Sequence, residues 1–156
     1  MVLWFNDVEV KLKNTFELVR SFYPGEDILK GRKGQLETYQ LEDGVKAILR
    51  SEGQHFEECY TFEQAERLKG LIKGDLKSYM LRRVVYRVLS KGLSKQLAWG
   101  ILTGIRPGKL LAYWVEDGIQ EEKLVGLLQD IYDVSKDKAE LLYSIYCAQK
   151  PVRENL

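Results

Sequence analysis

Apolar and aromatic residues fill Met1-Val-Leu-Trp-Phe5, then recur at Val8, Leu12, Phe16, Val19 and Phe22. The first run predicts a strand over 1–5. The second falls at three- and four-residue spacing with Lys11, Lys13 and Arg20 off the stripe, which predicts an amphipathic helix stopped by Pro24-Gly25. From residue 28 to 60 the period turns extended. Gly31-Arg-Lys-Gly34, Asp43-Gly44 and Glu52-Gly53 read as turns and divide strands near 35–41, 45–50 and 55–60. Asp43-Gly44 predicts a type I′ hairpin, so two of these strands are expected to pair antiparallel. Their imperfect alternation suits a sheet covered on one face and partly wet on the other.

Thr61-Phe-Glu-Gln64 has the capping-box pattern and predicts a long helix to about Leu89. Gly70 and Gly74 weaken that helix by roughly 1 kcal/mol each and predict a kink or a close helix contact. Arg82-Arg83 and Arg87 are expected on its solvated face. Beyond Gly92 the pattern is helical apart from one glycine-rich loop. Residues 107–116 predict a helix with Pro107 in its first turn and Gly118 past its end. Leu124, Leu127, Leu128 and Ile131 stripe a helix over 120–132. Ser135 caps a last helix with Ala139, Leu142, Tyr143 and Tyr146 inward. The fold class is therefore α+β: a small, mostly antiparallel sheet of about four strands with packed helices, then a helical C-terminal half. The two parts, 1–92 and 93–156, are expected to form one compact domain together.

Composition narrows the function classes. A hydrophobic fraction of 45% and a charged fraction of 30% over 156 residues suit a folded core, not a disordered chain. A formal charge of +1 lacks the strong basic footprint of a nucleic-acid binder. No apolar run reaches the roughly 18 residues of a membrane span, and the apolar start is too short for a signal segment. Cys59 and Cys147 lie far apart without CxxC spacing, which fits a reducing cytoplasm and argues against a cysteine-held metal in this chain.

Candidate chemistry concentrates in Trp99-Gly-Ile-Leu-Thr-Gly-Ile-Arg-Pro-Gly-Lys109. Its glycines allow close backbone approach, and Arg106 with Lys109 supplies charge for an anion beside the positive end of the following helix. A phosphate-binding loop does not fit: Thr103 stands where the first Walker glycine belongs, and Leu110 follows Lys109 where Ser or Thr is needed. GxGxxG is absent from the stretch. Elsewhere the signals are weaker. His55, the single histidine, stands beside Glu57-Glu58 and reads as a surface or pairing residue. Glu121-Glu122 reads as acid in a first helical turn. Tyr143 and Tyr146 read as core.

The order strand, helix, strand meander, long helix and then this loop resembles the amino-terminal region of HemZ-type oxygen-independent coproporphyrinogen III dehydrogenases. These are radical S-adenosylmethionine enzymes related to heme synthesis. Their Trp-Gly-x-Leu-Thr-Gly-x-Arg-Pro-x-Lys pattern is met by Trp99, Gly100, Leu102, Thr103, Gly104, Arg106, Pro107 and Lys109. The resemblance implies an accessory, non-catalytic domain in which Trp99, Gly100, Thr103, Gly104, Arg106, Pro107 and Lys109 bind substrate or dock the catalytic domain. The propionate carboxylates of a porphyrinogen suit such cations. The family continues into CxxxCxxC, whose thiolates hold a [4Fe–4S] cluster that binds S-adenosylmethionine. Here Cys147 is followed by Ala-Gln-Lys-Pro, so no cofactor is expected in this chain and both are expected in a longer parent. The chain is then a fragment of that enzyme or a free-standing relative. Two other readings of the residues stay open. In one the loop is a structural helix–helix connection in which Trp99 plugs a core and Arg106 pairs with an internal carboxylate or caps carbonyls. In the other the chain is a small binding adaptor for RNA or protein that uses the basic loop.

Overall fold

A computed structural model describes residues 1–31, 34–102 and 106–154. The chain divides into two compact units, Met1–Leu97 and Ala98–Leu156.

The first unit is built on strand β1 (Val2–Asn6), helix α1 (Lys13–Phe22) and strands β2 (Ile28–Lys30), β3 (Leu36–Gln40), β4 (Gly44–Ser51) and β5 (Gln54–Thr61). The strands form one sheet in the order β2-β1-β3-β4-β5. The sheet is mixed and has five strands, roughly the expected small sheet of about four strands with one strand more. β1 runs parallel to both β2 and β3, while β3–β4 and β4–β5 are antiparallel. The extra strand is Ile28-Leu-Lys30, reached from β1 through α1; a parallel neighbour needs such a crossover.

The type I′ turn sits in the hairpin after the expected one. Glu52 and Gly53 both take positive φ (51° and 75°) between the paired Ser51 and Gln54. Gly44 instead serves close approach, since a Cβ there would stand 2.1 Å from the Tyr60 carbonyl oxygen.

The capping box forms as expected. Gln64 N–H donates to Thr61 Oγ1 at 3.1 Å, and Thr61 N–H donates to Gln64 Oε1 at 2.9 Å. The helix it opens, α2 (Phe62–Glu66), is short, however. The expected long helix is interrupted between Glu66 and Leu76: the chain leaves α2 through turns, Gly74 takes φ 85°, and Asp75 caps a new helix by accepting from Ser78 N–H at 2.9 Å. That helix, α3 (Leu76–Leu93), packs on β4, β5 and α1. The expected solvated cations on it need correction. Arg82 is 3% exposed, and Arg83 lies over the Tyr60 ring at 4.5 Å while donating to the Tyr79 hydroxyl at 3.0 Å. α3 is apolar around most of its circumference, so its arginines are drawn in by their stems.

Strand register puts Trp4, Leu36, Leu49, Ala47 and Val45 on the face toward the helices. Phe5, Glu37, Tyr39, Lys46, Ile48, Arg50 and Glu57 share the opposite face. Glu37 is the buried anchor of this second face. It accepts from the Tyr39 hydroxyl and from the Arg50 guanidinium. Burial pushes its pKa up, but those two partners outweigh it and hold the carboxyl below its usual range.

The second unit carries α4 (Pro107–Glu116), a single 3₁₀ turn (Glu121–Lys123), α5 (Leu124–Tyr132) and α6 (Lys136–Glu154). Gly118 takes φ 92° just past α4, and the Ser135 hydroxyl accepts from Lys138 N–H at 3.3 Å. The core gathers Trp114 and Tyr132, with ring centroids 6.1 Å apart, around Leu110, Leu111, Leu128 and Ile131. Tyr146 joins the core. Tyr143 is half-buried instead, and its hydroxyl, hydrogen-bonded to Cys147, is pushed above the ordinary phenol range. Among the described residues, no helix is long and apolar enough to cross a membrane.

Candidate functional site

The Trp99–Lys109 stretch divides into two parts with different work. Its first part is bound into the second unit. Ser135 N–H donates to the Ala98 carbonyl and Ile101 N–H to the Tyr132 carbonyl, each at 2.9 Å, so the chain is stapled to the α5–α6 connection at both ends of Trp99-Gly100. Ile101 and Leu102 are buried. Gly100 has φ 57°, and a Cβ on it would stand 2.2 Å from the Tyr132 carbonyl oxygen and 2.4 Å from the Asp133 carbonyl oxygen. Only glycine fits there.

Trp99 does not plug the core. It is 38% exposed, and Lys138 Nζ lies 5.4 Å from its ring centroid, a cation–π contact between α6 and the loop. The buried indole of this unit is Trp114. No sequence pattern pointed to Lys138, since the contact spans the whole of α4 and α5.

The second part starts α4 and is open. Arg106 is the N-cap residue, with φ −77° and ψ 114°, and makes no side-chain cap; Pro107 occupies the first turn. Arg106, Gly108 and Lys109 are exposed, and the two cations make no ion pair or hydrogen bond to another described side chain. No acidic residue stands in the first turn of α4, so amide dipoles and side-chain charges have the same sign there. A Cβ added to Gly108 would meet nothing within 4 Å. The glycine is therefore not demanded by the packing of this unit. Thr103 and Gly104, together with Ile105, lie outside the described residues.

Other candidates resolve into local pairs. His55 Nε2 lies 2.9 Å from Glu57 Oε1 on the surface, and this contact, with Lys46 at 3.7 Å, holds Glu57 below the usual carboxylate range. Glu121 accepts from Lys150 at 2.7 Å. Cys59 and Cys147 are free thiols in different units. A [4Fe–4S] cluster needs three or four thiolates, and a chain with two cysteines so placed does not fit it. No radical step is therefore assigned to these residues. Comparison with protein-family models, curated proteins and solved structures gave no match.

Proposed function

We propose that this chain is the accessory amino-terminal domain of a cytoplasmic radical S-adenosylmethionine enzyme resembling HemZ-type coproporphyrinogen III dehydrogenases, and is not catalytic alone. The observation that carries the reading is the open start of α4. Arg106 and Lys109 stand exposed there within the motif, at a positive helix end, with no carboxylate partner among the described residues. Cations left so are suited to an acidic surface of the catalytic domain or to the carboxylates of a porphyrinogen. The cluster and S-adenosylmethionine belong to the parent's remaining sequence, not to this chain.

An RNA-binding adaptor is less well supported. It would use the same exposed Arg106 and Lys109, but a chain of formal charge +1 lacks the broad basic surface from which counterion release draws affinity.

Reading the gene in frame past codon 156 tests the proposal. It predicts an open frame that reaches CxxxCxxC. A stop codon directly after Leu156 would contradict it.

A further inference from the structure

The first unit holds a second feature, independent of the α4 start and of the proposed parent enzyme. A cleft of about 640 Å³ opens between the first half of α1 and the carboxyl ends of β1 and β2. Sheets with parallel strands take up ligands outside the carboxyl ends of those strands, beside the crossover helix. β1–α1–β2 builds that arrangement here, with β3 as a second parallel neighbour of β1. The volume lies within the range of small-molecule sites.

Phe16 and the buried Trp4 give the cleft an apolar wall, with the Arg20 guanidinium 5.2 Å from the Phe16 ring centroid. Trp4 and Phe16 stack with centroids 6.5 Å apart at 29°, and the Trp4 indole N–H donates to Thr38 Oγ1 at 3.0 Å. Ile28 and Leu29 supply further apolar lining, and Leu29 is exposed. The rim is cationic. Lys13 and Lys30 line it without a carboxylate partner among the described residues, and strand pairing puts Lys30 on the same face as Trp4. The one carboxylate in the lining, Glu17, is already engaged by Arg20 at 3.6 Å. α1 also begins there without a side-chain cap or an acid in its first turn. An apolar slot with an anion-seeking rim selects a ligand that is flat and apolar at one end and anionic at the other.

We infer that this cleft is a binding site for an aromatic carboxylate, with the ring against Trp4 and Phe16 and the carboxylate between Lys13 and Lys30. The test titrates the isotopically labelled full chain with pyrene carboxylate and follows amide and indole N–H signals by NMR. Saturable shifts are expected at the Trp4 indole N–H, Leu29 and Lys30. The Lys13→Glu/Lys30→Glu double variant, unchanged in its melting, is expected to bind roughly tenfold more weakly. The neutral analogue pyrene methanol should lose about as much. Equal binding of the neutral analogue, shifts confined to residues of the second unit, or no saturation at millimolar ligand would each overturn the assignment.

Discussion

Gly100 lies against the carbonyl of Tyr132 so closely that a single added carbon would stand 2.2 Å from that oxygen. The neighbouring amide, Ile101 N–H, donates to the same carbonyl at 2.9 Å. This contact fixes the start of the glycine-rich stretch to the end of α5, whereas Arg106 and Lys109 stand exposed. Gly100→Ala is expected to destabilise the chain by about 2 kcal/mol or more, through both the positive φ and the clash. Urea denaturation measures it, and an unchanged midpoint would contradict the packing described.

Gly108 in the same motif behaves oppositely. Its surroundings are open, and an alanine in a helical turn is favoured over glycine, so Gly108→Ala is expected to stabilise by about 0.5–1 kcal/mol. If the open space serves a docked surface, the same variant should bind the catalytic domain less tightly while melting higher. A stability gain without any loss of association would assign Gly108 no role in docking.

The Glu37–Arg50–Tyr39 cluster sets an acid limb to stability. The pKa of folded Glu37 is below its unfolded value near 4.5, so its stabilisation is full above that pH and is lost as pH falls through the folded pKa. Arg50 is half exposed, which limits the contribution to about 1–2 kcal/mol. Glu37→Gln should therefore lower stability at neutral pH by that amount and converge with the wild type in strong acid. Denaturation midpoints measured across the acid range check this, and parallel curves would contradict it.

Thr15 offers a stabilising change. Its side chain is fully buried in α1, and its hydroxyl has no hydrogen-bond partner among the described residues. Thr15→Val keeps the shape and removes the desolvated hydroxyl, for an expected gain of about 1 kcal/mol. A lower thermal midpoint would show that the hydroxyl is satisfied in solution.

The sequence was most legible where one element carries its own signal. β1, the β3–β5 meander, the Thr61 capping box, Pro107 at the start of α4 and the Ser135 cap all follow from local pattern. β2 escaped because Ile28-Leu-Lys30 is too short to alternate and pairs through a crossover, not a turn. The interruption between Glu66 and Leu76 was overrun because apolar Leu68, Leu71 and Ile72 keep a helical spacing where the chain only turns. Arg82 was misread because charge suggests solvent, whereas α3 is packed around most of its surface. In the candidate site, the residue types were visible but their division was not. Gly100 is committed by a carbonyl far along the chain, and Trp99 is held at the surface by Lys138, also remote in sequence.

We propose that the start of α4 serves a radical enzyme that acts on a porphyrinogen. The most direct measurement is anaerobic turnover of coproporphyrinogen III by the whole gene product, wild type against Arg106→Glu/Lys109→Glu. Protoporphyrinogen IX is expected from the wild type and at least roughly tenfold lower kcat/KM from the variant, with melting unchanged. Absence of product from the wild type, or equal turnover by the variant, would contradict it.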